Sequence, residues 1–109
     1  MIGLIKIYKM NFYNKIYKQL KKVPKGKVTT YKILANSIGS KAYRAVGQAM
    51  KNNKNPKKIP CYKVICSNGF VGNYSATGGM KKKKELLEKE GIKIKNNKVV
   101  DFKNVLYNF

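Results

Sequence analysis

Two apolar stripes of helical spacing lie on either side of Gly39-Ser40, and no other feature constrains the fold as tightly. Tyr31, Leu34, Ala35 and Ile38 recur at the three-and-four spacing of one helix face. Thr30 ahead of them suits an N-cap, because its hydroxyl can accept from an amide of the first turn, and Gly39 supplies the stop. Ser40 is then expected to cap a helix over residues 41–52, packed through Ala42, Ala45, Val46, Ala49 and Met50. Its polar face would carry Lys41, Arg44, Gln48 and Lys51. Two short helices joined by so tight a turn have the pattern of a helix-turn-helix. The small residues Ala42, Ala45, Gly47 and Ala49 leave room for a backbone to come close.

A first helix is legible upstream. Phe12, Ile16 and Leu20, flanked by Tyr13 and Tyr17, form a helical stripe that should end before Pro24. Residues 2–8 read as a short strand. Downstream, KNNKNPKK reads as a loop, and IPCYKVICSNGFVGNY as a hairpin turning at Ser67-Asn68-Gly69. A second loop covers Ser75–Gly79. A last helix is expected over residues 80–90, with Leu86 and Leu87 buried and Gly91 closing it. The remainder, IKIK-NN-KVVDF, reads as a small hairpin or ragged tail of low functional content. No linker divides the chain, so 1–109 is expected to be one domain.

Composition narrows the function. Lysine and arginine total 25 against four acidic residues, a net charge of +21. Such a balance points to a polyanion, nucleic acid before an anionic membrane surface. No run of about 18 apolar residues spans a bilayer, and the amino terminus lacks the order of a signal peptide. A cytoplasmic location is therefore expected, where both thiols stay free. Two cysteines without a histidine cannot assemble four soft ligands, so no metal site is expected. Arg44 is the single arginine among 25 basic residues. Either chance spared it, or the position needs a planar fork that lysine cannot imitate.

A cysteine such as Cys61 is more often a small buried apolar group than a nucleophile. Here Lys57, Lys58 and Lys63 surround it in sequence, and positive potential favours thiolate over thiol. Cys61 is thus a candidate nucleophile with a thiol below its free value of about 8.5. Cys66, within the expected hairpin, reads as structural.

The segment IPCYKVICSNGFVGNYS resembles the active site of the O6-alkylguanine-DNA alkyltransferases, whose hallmark is Pro-Cys-His-Arg-Val. GKVTTYKILA resembles that family's approach to its helix-turn-helix, and YRAVGQAMKNN its recognition helix with an inserted arginine. The NP pair resembles its asparagine hinge, and KEGI its closing glutamate-glycine. The likeness runs from residue 11 to about 95. It implies a mainly α, winged helix-turn-helix DNA-binding domain with a small β hairpin.

It also implies roles. Cys61 would take an alkyl group from guanine O6 in double-stranded DNA, once per molecule and without a cofactor. Arg44 would fill the space of the flipped nucleotide. Tyr31 would turn the phosphate and bond the extruded guanine, with Tyr74 and Ser75 as pocket wall. Asn55 would brace recognition helix to active site, and Glu90 would anchor a proton relay behind the cysteine. Thr30, Lys32, Ala45, Gln48 and Ser67 would join Tyr31 and Arg44 on the DNA face of a monomer.

Tyr62 and Lys63 stand where the family has histidine and arginine. A phenol titrating near 10 is a poor base beside an imidazole near 6.5, so Tyr62 would position groups rather than accept protons. The loop from Asn55 to Cys61 reads about two residues short and the one after Ser75 about two long. The N-terminal domain of longer relatives is expected to be absent. Two alternatives remain open: a non-catalytic, alkyltransferase-like lesion binder, against which Cys61 speaks, and a basic winged-helix chromatin or RNA-binding protein, which leaves the ordered motifs unexplained.

Overall fold

The structure, a computed structural model, describes residues 2–109, with side chains described for residues 9–109. Helix α1, Ile2–Leu20, is continuous over 19 residues, so residues 2–8 are helix and not strand. A strand must find partners for its amides, whereas extending a helix satisfies them internally without a new nucleus. Ile16 and Leu20 are fully buried, with Phe12, Tyr13 and Tyr17 packed at the margin of the same cluster.

Strand β1, Thr29–Thr30, leads directly into α2, Tyr31–Ser37. Thr30 Oγ1 accepts from the Ile33 amide at 3.1 Å, the expected cap. Thr30→Ala should cost about 1 kcal/mol of stability, read as a lower urea midpoint at unchanged slope. Gly39 takes φ +71°, where a side chain would be strained, and lets the Ser40 amide reach Ala35 O at 3.0 Å.

Helix α3 spans Tyr43–Lys51, two residues later than expected. Ser40 Oγ accepts from the Ala42 amide two residues on, at 3.0 Å, which closes a turn in place of starting a helix. Ala42 is consequently exposed, while Val46, Ala49 and Met50 are buried against α1 and α2.

The expected hairpin at Ser67-Asn68-Gly69 is a closed turn without a ladder. Gly69 N donates to Cys66 O and Cys66 N to Phe70 O, both at 2.9 Å. Strand β2, Val64–Ile65, instead pairs in parallel with β1, Thr29 opposite Val64 and Thr30 opposite Ile65. An apolar pair such as Val64-Ile65 is fully buried, and a buried strand takes a buried partner. On the other side of β1, Val28 donates to Val105 O at 2.8 Å and accepts from Tyr107 N at 2.7 Å.

Helix α4, Gly79–Lys89, buries Leu87 fully and Leu86 by half, and Gly91 follows at φ +88°. Strands β3, Ile94–Lys95, and β4, Lys98–Val99, form the small antiparallel hairpin, with Asn96 and Asn97 both at positive φ. A short α5, Phe102–Val105, was not expected; four residues carry no periodicity to read. Cys61 and Val64 belong to the core cluster under α1–α3, and Ile65 to a second cluster with Val28, Val71, Leu87, Ile92 and Val99. β2 therefore joins both halves of the core. Among the described residues no helix is long and apolar enough to cross a membrane.

Candidate active site and nucleic-acid interface

Cys61 opens a single 3₁₀ turn, Cys61–Lys63, immediately before β2. Its amide donates to Ile59 O at 2.8 Å, and the Lys63 amide donates to Pro60 O at 3.0 Å. Cys61 is 6% exposed. Burial pushes the thiol above its ordinary value; an Asn53 hydrogen bond, the Lys83 charge and its own backbone amide pull back without prevailing. This overturns the expectation of a thiol depressed by neighbouring lysines. Lys57 and Lys58 point to solvent, and Lys63 is committed elsewhere.

The brace expected of Asn55 is made by Asn53. Asn53 Nδ2 donates to Ile59 O at 2.8 Å, and its Oδ1 accepts from the Asn55 amide at 3.0 Å. One side chain thus holds the exit of α3 against the turn carrying Cys61. Asn53 lies eight positions before Cys61, so placing the brace there restores the two residues the loop seemed to lack. The Asn-Pro pair was the stronger local signal, and it misled.

Behind the turn, Glu90 gathers three donors. The Tyr62 hydroxyl donates to Oε2, the Gly26 amide donates to Oε1 at 2.9 Å, and Lys63 Nζ lies 3.1 Å from Oε1. Lys63, 5% exposed, also donates to Val23 O at 3.1 Å and Pro24 O at 3.0 Å. Burial alone would raise the Glu90 carboxyl; the hydrogen bonds from Tyr62, Gly26 and Lys63 and the Lys63 charge outweigh it and hold the carboxyl below its ordinary value. Burial, then the Glu90 hydrogen bond and charge, push the Tyr62 phenol well above its ordinary value. Among the described residues no hydrogen bond joins Tyr62 to Cys61 Sγ.

The three residues expected as pocket come together. Tyr31, Tyr74 and Ser75 line a cavity of about 240 Å³ with Gly47, Met50, Lys51 and Asn73. That is below the roughly 300 Å³ at which drug-sized sites begin, a size for one flat ring system. Burial, and then Cys66 and Cys61, push the Tyr31 phenol up to about 12, so it is a donor at neutral pH. Arg44 is exposed one turn before Gly47 and two before Lys51, on the stripe of α3 that borders this cavity.

Of the residues expected on the DNA face, Lys32, Arg44, Gln48 and Ser67 are exposed, and Ala45 and Tyr31 half-buried. Ala45 and Gln48 also border a groove of about 620 Å³ between α3 and the Met10–Tyr13 stretch of α1. Thr30 does not belong on that face: it is 2% exposed and its hydroxyl is engaged as the α2 cap. Buried Lys83, and Asn53, were missed. A run of four lysines reads as a solvated face, and nothing local marks the one that turns inward. Both cysteines are free thiols, and among the described residues no three metal-ligating side chains cluster.

The sequence profile described as "6-O-methylguanine DNA methyltransferase, DNA binding domain" matches residues 11–92. The chain belongs to this family. Its fold is that of the family's DNA-binding domain, mainly helical with small sheets. A methylated-DNA–protein-cysteine methyltransferase of Cricetulus griseus is 53% identical over 78 residues, 71% of this chain and 37% of that protein. The crystal structure of S. pombe Atl1 in complex with damaged DNA containing O6-carboxymethylguanine is similar at TM-score 0.80 and 30% identity, covering 91% of this chain and 96% of that one. The O6-methylguanine-DNA methyltransferase of Pyrococcus kodakaraensis KOD1 is similar at TM-score 0.67 and 44% identity, covering 74% and 46%. The chain spans between 29% and 50% of the length of the curated relatives it matches.

Proposed function

We propose that this chain binds duplex DNA and repairs O6-alkylguanine by moving the alkyl group to Cys61. The observation that carries the reading is a buried cysteine on a rigid turn, Asn53-braced to α3, close to a one-base cavity walled by Tyr31, Tyr74 and Ser75. A base taken out of the stack can enter such a cavity, and Arg44, exposed on the helix that supplies Gly47, Met50 and Lys51 to the cavity, holds the gap left in the duplex. The sulfur attacks the alkyl carbon in line with O6. The carbon–oxygen bond breaks, its electron pair stays on guanine, and the thiol proton ends on the guanine ring. Products are a thioether and an unmodified guanine. Nothing in the chain cleaves a thioether, so each molecule reacts once. The exposed lysines supply sequence-independent phosphate contacts, suited to a lesion that arises anywhere.

The test is incubation with duplex containing O6-methylguanine, followed by intact mass. One methyl increment on the protein, located at Cys61, is expected. Tight lesion binding with no increment would favour a second reading, a lesion binder without transfer, which the likeness to Atl1 over 96% of that chain supports. Arg44→Ala should lower repair of duplex about 100-fold or more while leaving reaction with free O6-benzylguanine within a few-fold, since only a stacked base needs extrusion. Equal losses on both substrates would assign Arg44 to the fold.

A further inference from the structure

Lys83 is the fifth residue of α4 and is 1% exposed, while its neighbours Lys82 and Lys84 are half-buried and Lys81 lies in solvent. Its ammonium donates to Val64 O at 2.7 Å and to Asn73 O at 3.2 Å. Val64 follows the Cys61 turn, and Asn73 belongs to the pocket wall, so one side chain ties the two together. An ammonium has three donors; the third N–H has no partner among the described residues. No carboxylate among the described residues pairs with Lys83, although an unpaired buried charge is costly. The space around it is kept by Gly72: a Cβ there would lie 3.6 Å from Lys83 Nζ, 3.4 Å from Cys66 Sγ and 4.0 Å from the Tyr31 hydroxyl. A desolvated cation therefore sits beside the Cys66 sulfur and the Tyr31 phenol, hydrogen-bonded to Val64, whose own amide donates to Cys61 O, and no acid among the described residues pairs with it.

We infer that Lys83 is a positioning residue whose buried charge, in place of the surface lysines, draws Cys61 toward the thiolate while its hydrogen bonds hold the pocket wall against β2. The inference rests on Cys61 being the nucleophile. Tyr17, Tyr31 and Tyr74 pack against the buried cluster that holds Cys61, and Tyr62 follows it in the chain; burial raises all four phenols, which are neutral at pH 7. Burial lowers Lys83 itself to about 8, with Cys66 and Cys61 acting the other way, so it is mostly charged at pH 7 and loses that charge as the pH rises through about 8.

Iodoacetamide alkylation of Cys61, followed by mass in a Cys66→Ala background, measures the thiolate without DNA. In Lys83→Met the rate at pH 7 is expected to fall about tenfold, the effect of raising the thiol by one pH unit. Lys83→Arg, which keeps the charge, should recover at least half of that loss. Without any substitution at Lys83, the pH midpoint of the reaction should stay constant between low and high salt, because a buried charge is screened little. An unchanged rate in Lys83→Met would overturn the inference. A midpoint that climbs with salt would overturn it as well, by assigning the effect to surface lysines. Absence of methyl transfer by the wild-type protein would instead overturn the proposed repair activity and leave the thiol result standing.

Discussion

Cys61→Ala is expected to abolish alkyl transfer to the protein and to leave affinity for methylated duplex within about threefold. The sulfur is the only atom removed; Cys61 belongs to the buried cluster against which Tyr31 and Tyr74 of the cavity wall pack, while Arg44 and Gln48 of α3 are exposed. The void left is small, so stability should fall by about 1 kcal/mol, well within what a domain of this size tolerates. Cys66→Ala is the control. Cys66 is half-buried against Gly72 and lies outside the buried cluster that holds Cys61, so its loss should preserve both transfer and binding. Intact mass reads the first property and a gel-shift titration the second. Transfer surviving in Cys61→Ala would move the nucleophile elsewhere and end the mechanism.

Glu90→Gln should be the most destabilising single change at the site, at about 3 kcal/mol. It leaves the Lys63 ammonium buried without its counter-charge, and breaking one side of a buried pair costs about 3–5 kcal/mol. Thermal unfolding should shift down by about 15 °C for a domain of this size. The pH dependence has a definite sign. The folded carboxyl lies below its ordinary value, so the stability it contributes is complete above the unfolded value of about 4.3. That stability is lost as the pH falls through the folded value. Wild type should therefore lose stability in acid more steeply than Glu90→Gln, and parallel curves would show that the pair contributes nothing.

Tyr62→Phe removes one donor to the same carboxylate and should cost only about 1 kcal/mol. Its transfer rate should fall less than tenfold, because a phenol held above its ordinary value and already donating to Glu90 accepts no proton at pH 7. A loss of about 100-fold, non-additive with Glu90→Gln, would show Tyr62 to be part of a proton relay.

Helices with a sustained apolar stripe were readable in advance. Ile16 and Leu20 of α1, Leu34 and Ala35 of α2, and Val46 and Ala49 of α3 all fall on the buried faces their spacing predicts. The Thr30 cap and the Gly39 stop were readable too, since each depends only on residues within four positions of itself. Strand partners were not. Val64-Ile65 gives no local sign that it pairs with Thr29-Thr30, more than thirty positions away, in preference to the residues just after its own turn.

The same division runs through the candidate site. The amino-acid order marked Cys61 and singled out Arg44, and the family resemblance it carries grouped Tyr31, Tyr74 and Ser75, which do share a cavity. It also set the charge of +21 and with it the class of partner to look for. Tertiary structure decided the electrostatics. The lysines nearest Cys61 in sequence are solvated or, in the case of Lys63, neutralised by Glu90, while the cation that acts on the thiol is Lys83, from the middle of a basic run. Proximity along the chain says little about potential, because a charge acts through distance and burial, and both are set by packing. Asn53 and Asn55 differ by the same reasoning: two asparagines two positions apart are equivalent as letters, and only the path of the chain from α3 to Cys61 turns one amide inward to hold it.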